Sequence, residues 1–350
     1  MKRHDASAKG KMWRGWIRWV LLAAGLFLFA WFVKRAGPAE IAQMMARLGW
    51  AAPLVLLPYA LVYVLDTLGW FIAFGKYATQ RLPYTTLFRV RWAGESVNYV
   101  VPSAYIGGEA VKAWLLHKRG VSGLTGGTSV VASKTCQTLA QVIFIALGAL
   151  LALPHLAPGS GARTGVWIIS VAAWGVVGLL FVVQRIGLFT AVTALARRLP
   201  VKVGVLETHR DQLRELDRQI YGFYHGDPLR FFGSTLAYLT GWIADSLEIM
   251  LVCWLFGEPV AWSEAVAIEA FIGVAKALGM FVPGALGVQE SGVALLFQLF
   301  GLSPAMGAAY ALIRRGREVV FAVAGGFILS AEGPSWRSLW KRAKEGSVGE

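Results

Sequence analysis

Charges set within apolar stretches are the residues of this sequence with the most chemistry to offer. Glu95, Asn98, Glu109, Lys134, Lys276, Glu290 and Arg315 fall in or beside runs able to enter a bilayer, as do Asp66, Asp245, Glu248, Arg314, Arg317 and Glu318. A charge at the centre of a membrane helix costs about 2.5–3.5 kcal/mol on insertion scales, so such residues are candidates for function. Lys134 and Arg315 can donate to a phosphate or another anionic group. The carboxylates of Glu95, Glu109 and Glu290 can carry protons. A structural use stands beside the functional one, because ion pairs also hold helices in a bundle. For Arg317 with Glu318, and for Asp245 with Glu248, it weighs at least as much.

Enzymatic constellations are not found. The sequence has no Gly-x-Ser-x-Gly, no phosphate loop and no His pair at helical metal spacing. Cys136 and Cys253 lie in separate apolar runs with no further Cys or His at ligand spacing. No metal, cofactor or disulfide is expected.

The elements that must hold these groups are membrane helices. Of 350 residues 56% are hydrophobic and only 15% charged, against roughly a quarter charged in soluble domains. The mean hydropathy is +0.56. A net charge of +14 would suit nucleic acid on a soluble protein. Here the cations gather in particular loops, as membrane topology and an anionic inner leaflet require, and no basic motif with interleaved stacking aromatics occurs. Anionic inner-leaflet lipids are therefore expected partners and nucleic acid is not.

Along the chain, a basic N-terminus (1–15) precedes an apolar run from Trp19 to Val33, read as an uncleaved first span with its N-terminus inside. A second span covers Trp50–Phe74, and Lys76, Arg81, Arg89 and Arg91 follow it on the expected cytoplasmic side. The segment Tyr84–His117 is apolar but broken at Pro102, Gly107 and Gly108, which predicts a re-entrant helical hairpin. Spans at 128–153 and 166–183 lead to a basic stretch, 185–230. Within it Leu206, Leu213, Leu216, Ile220 and Phe223 recur at helical spacing, as in an amphipathic helix on the membrane surface or on the protein's own loops. After a span at 231–256, residues 263–300 form a second broken segment with Pro283, Gly284 and Gly287, and the last span covers 304–330. The tail, 332–350, is basic. This is an all-α polytopic membrane protein, with about six crossings, two re-entrant hairpins and both termini cytoplasmic.

A shift of 181 residues lays the second broken segment on the first. Pro102, Ala104, Glu109, Ala113, Leu115, Gly120, Ser122 and Gly126 then meet Pro283, Ala285, Glu290, Ala294, Leu296, Gly301, Ser303 and Gly307, eight identities over 25 positions. Roughly two would arise by chance in this composition. The same shift sets Lys134 on Arg315, Glu95 on Lys276, and Asp66 between Asp245 and Glu248. Parity places the first hairpin inside and the second outside. Repeats at about 50–153 and 231–331 are thus expected to be inverted, the plan of many secondary transporters.

Gly94-Glu95-Ser96-Val97-Asn98 with Pro102 and Gly108-Glu109, and Pro283-Gly284-Ala285-Leu286-Gly287-Val288-Gln289-Glu290, resemble the paired motifs of the lysylphosphatidylglycerol-synthase transmembrane-region superfamily. The resemblance covers roughly 15–331, and its hopanoid-biosynthesis-associated branch of bacterial inner-membrane proteins looks most similar. Many relatives carry Glu-Arg where this chain has Ser133-Lys134, so the cation is kept and the acid is not. Residues 332–350 are too few for the aminoacyl-transferase domain of full-length synthases, so the chain is expected not to be an enzyme. The resemblance implies a flippase-like protein of the bacterial inner membrane, with a membrane lipid, a hopanoid or a phospholipid, as substrate. An intramembrane lipid-modifying enzyme and a non-transporting scaffold are the alternatives.

Overall fold

In the computed structural model, residues 37–100, 106–156, 159–186, 226–278 and 288–332 are described, with isolated positions at 34, 215, 218 and 221–223. The expected first span, most of the amphipathic stretch, the basic tail, Pro102, Pro283, Gly284 and Gly287 lie outside them. Every regular element among the described residues is helical. Helix α1 (Pro38–Leu48) runs through a 3-10 stretch (Gly49–Val55) into α2 (Leu56–Phe74) and the short α3 (Lys76–Arg81). Then come α4 (Tyr84–Val100), α5 (Ile106–Lys118), α6 (Gly123–Ala152) and α7 (Gly161–Ile186). The later part holds α8 (Pro228–Leu255), α9 (Trp262–Leu278), α10 (Val288–Leu299) and α11 (Pro304–Glu332).

The distribution of side chains is that of a membrane protein. Leu57, Leu61, Val64 and Leu68 point outward along one stripe of α2, while Arg91, Glu248, Glu269, Arg314 and Arg317 are buried. Three helical stretches among the described residues, Pro38–Phe74, Gly123–His155 and Pro228–Leu255, are long and apolar enough to cross a bilayer outright. Helix α11 is equally long, but Arg314, Arg315, Arg317 and Glu318 interrupt its middle. It can sit in the membrane only because those charges turn inward.

The 181-residue shift maps element onto element. It carries α4 to 265–281, α5 to 287–299 and α6 to 304–333, each within three residues of α9, α10 and α11. Moved in the same way, α2 falls within α8. The turns between the last two helices of each half agree bond for bond. Gly120 and Gly301 take φ of 83° and 80°, where a side chain would be strained. The amides of Val121 and Leu302 donate back to the Leu116 and Phe297 carbonyls at 3.2 and 3.0 Å. Ser122 and Ser303 then cap the long helices, accepting from the Thr125 and Met306 amides at 3.0 and 3.1 Å. The identities at these positions are thus the chemistry of one turn used twice.

The halves are inverted. Ile72 meets Gly233, Gly69 meets Ser234 and Tyr238, and Asp66 meets Gly241. Positions rise on α2 as they fall on α8, so these equivalent helices run antiparallel. The halves also interlock: α6 of the first packs on α9 of the second, and α11 of the second packs on α4 of the first. Gln141 beside Gly273, and Gly148 against Val266 and Ala267, fix the first contact. Trp92 donating to the Phe321 carbonyl at 2.8 Å fixes the other.

Candidate functional site

In the first half, ionic groups from four helices surround a small polar cavity. Asp66 on α2 accepts from Arg91 on α4 at 2.5 Å and from the Gln137 amide on α6 at 3.3 Å. Lys112 on α5 bridges Glu95 at 2.7 Å and Glu109 at 3.0 Å. Lys134 donates to Gln137 at 3.0 Å and stands 3.9 Å from Glu109, with 43% of its side chain exposed. The cavity is lined by Arg91, Glu109, Lys112, Ser133, Lys134 and Gln137, with Trp70, Val130 and Tyr238. Three cations and three carboxylates balance. Asn98 serves the backbone: its side-chain oxygen accepts from the Gly108 amide at 2.8 Å, satisfying one of the free N–H groups that begin α5.

Gly107 and Gly108, expected as part of the helix break, lie instead in the first turn of α5. A methyl group on Gly108 would fall 2.3 Å from the Gly94 carbonyl oxygen, so this glycine serves close approach of α4 and α5 rather than a kink. Arg91, which was not singled out as a site residue, is a buried partner of Asp66.

The second half is more tightly tied. Arg315 binds Glu290 at 2.5 Å and Glu318 at 2.6 Å, and Lys276 lies 3.8 Å from Glu318. Deeper in, Arg314 grips Glu269 with two hydrogen bonds of 2.6 and 2.8 Å and reaches Asp245 at 3.5 Å. Arg317 bonds to Asp245 at 3.1 Å and to Glu248, with its guanidinium 3.6 Å from the Tyr59 ring centroid. Arg317 and Glu318 are sequence neighbours whose ion pairs are made with different residues.

Two pairs are equivalent under the repeat: Glu109–Lys134 and Glu290–Arg315. So are Lys134–Gln137 and Arg315–Glu318, the latter at 2.6 Å. Glu109 and Glu290 belong to separate clusters joined at the last turn of α4. There the Tyr99 hydroxyl bonds to Tyr59, and Lys276 lies 5.6 Å from the Tyr99 ring centroid. The sequence reading did not single out Gln137, Glu269 or Tyr99. Gln137 carried a signal, since the shift places it on Glu318.

Fold and charge placement define an all-helical polytopic membrane protein built on an inverted repeat. The family model for the lysylphosphatidylglycerol synthase TM region matches residues 17–326, and the chain belongs to that family. It is 25% identical over 317 residues to a UPF0104 membrane protein of Methanothermobacter thermautotrophicus, covering 85% of this chain and 89% of the relative. No solved structure matches.

Proposed function

We propose that this chain moves an amphiphilic lipid across or out of a bacterial inner membrane by alternating access of its two halves. A phospholipid or a hopanoid is the candidate cargo, and both termini would be cytoplasmic. One observation carries the reading. The equivalent pairs differ, Glu290–Arg315 closed at 2.5 Å and Glu109–Lys134 parted at 3.9 Å beside a cavity. An inverted repeat with one half closed and the other slack is what an alternating device presents in one of its two states. Exchanging the states would close Glu109 on Lys134 and release Glu290. Lys134, the most exposed cation of the first cluster, would meet an anionic or hydroxylated head group.

Liposomes containing the protein and a head-group-labelled lipid test this, with a membrane-impermeant quencher reporting which leaflet holds the label. Glu109→Gln, Lys134→Ala, Glu290→Gln and Arg315→Ala should each slow label movement at least tenfold while the protein stays folded. A new lipid product, lost in the same variants, would point to an enzyme. Indifference of both label and product would leave a scaffold.

A further inference from the structure

The inner cluster of the second half does not balance. Among the described residues Asp245, Glu248 and Glu269 are ion-paired with Arg314 and Arg317, three carboxyl groups against two guanidinium groups, and all five residues are buried. The neighbouring group of Glu290, Glu318, Arg315 and Lys276 is neutral by itself. Residues 279–287, which follow α9, carry no ionisable side chain. A whole uncompensated charge held away from water costs several kcal/mol, and a carboxyl group avoids it by keeping its proton.

Geometry says where that proton sits. Asp245 and Glu269 stand on the same Arg314 guanidinium, Asp245 at 3.5 Å and Glu269 at 2.6 Å. Two carboxyl groups brought to one cation repel each other when both are ionised, and one proton held between them removes that repulsion. One oxygen of Glu248, a residue with no exposed surface, also lacks a hydrogen-bond partner among the described residues. The Nε atoms of Arg314 and Arg317 are likewise without a partner among the described residues.

We infer that Asp245 and Glu269 share one proton, forming a buried proton-binding site between α8, α9 and α11. The groups facing it are Tyr310, Arg314, Arg317 and Glu318 from α11, and Glu248 from α8. Beyond these lie Lys276 on α9, Glu290 and Gln289 on α10, Tyr59 and Asp66 on α2, and Tyr99 and Arg91 on α4. Helix α6 presents Gln141 and Phe144 to the same stretch of α9. Two guanidinium groups already stand against these carboxyl groups, so a proton suits the site and a metal cation does not. The first half, with three cations for three carboxylates, holds no such surplus. The inference does not depend on lipid movement.

Infrared spectroscopy of the full chain in lipid nanodiscs at pH 7 decides it. A protonated carboxyl group has a carbonyl stretch apart from amide and ionised carboxylate bands, and surface carboxylates are ionised at that pH. One such band is expected, shifted when Asp or Glu side-chain carboxyl carbons are isotopically labelled and lost in Glu269→Gln. Absence of the band from the unmodified protein would overturn the inference, whatever the variants do. So would a band that persists unchanged in both Glu269→Gln and Asp245→Asn.

Discussion

Arg315 holds Glu290 at 2.5 Å, whereas Lys134, its counterpart 181 residues earlier, stands 3.9 Å from Glu109. Equivalent residues in equivalent helices thus make a closed pair in one half and an open one in the other. Arg315 also serves Glu318, and both carboxylates are buried. Removing it takes from two buried acids the cation that bridges them, with Lys276 3.8 Å from Glu318. Breaking a buried pair in this way costs about 3–5 kcal/mol, while a half-exposed pair contributes about 0–1 kcal/mol. Arg315→Ala should therefore lower the thermal midpoint in detergent strongly and Lys134→Ala hardly at all, although each should slow lipid movement at least tenfold. Equal destabilisation would mean that the difference between the halves is not one of packing.

The pair Asp66–Arg91 offers a cleaner energetic test, because 25 positions separate its members and both are buried. Arg91→Met leaves Asp66 with only the Gln137 amide and should destabilise by about 3–5 kcal/mol. Adding Asp66→Leu removes the stranded charge and should recover most of that loss, since apolar replacements of buried pairs are often neutral. Chemical unfolding of the single and double variants gives the coupling directly. A double variant as unstable as the sum of the singles would show that the two do not act as a pair.

The difference between what the sequence disclosed and what it hid follows from the range of each interaction. Gly120 with Ser122, and Gly301 with Ser303, were legible as repeats because a positive-φ glycine and a capping serine act within one turn. Glu109 with Lys134, and Glu290 with Arg315, could be aligned by the same shift. Arg91 was hidden because it follows a span in a run of cations that the charge bias alone explains, and only the packing of α4 on α2 brings it to Asp66. Glu269 was hidden for a related reason: its partner Arg314 lies 45 residues away on another helix. Partner choice across helices has no local signature. Asn98, picked out as a site residue, donates to Glu95 at 3.4 Å and also bonds the first turn of α5.

Two glycines at equivalent turns should respond differently to one added methyl group. On Gly307 it would lie 2.9 Å from the Ala294 Cα, a backbone atom that cannot swing aside. On Gly126 it would lie 3.5 Å from the Leu116 Cβ, an ordinary contact. Gly307→Ala should cost about 1–3 kcal/mol through overpacking. Gly126→Ala should be neutral or slightly stabilising, because it restricts the unfolded chain. Thermal midpoints in detergent separate the two, and equal losses would argue against the closer packing of α10 on α11.

The antiparallel pairing of α2 and α8 is the relationship from which inversion follows, and cysteine cross-linking in membranes tests it without any assumption about function. A Cβ built on Gly233 lies 3.6 Å from the Ile72 side chain, so cysteines at these two positions fall within reach of a disulfide. In a background without Cys136 and Cys253, Ile72→Cys with Gly233→Cys should link rapidly on mild oxidation. Ile72→Cys with Trp254→Cys should not, because position 254 lies at the opposite end of α8. Parallel halves would reverse that result, since Ile72 would then run beside its own counterpart near position 253. The Ile72–Gly233 link should also form while lipid is being moved, because α2 and α8 are equivalent helices facing each other across the repeat. An exchange of state between the halves leaves such a contact at its centre largely in place.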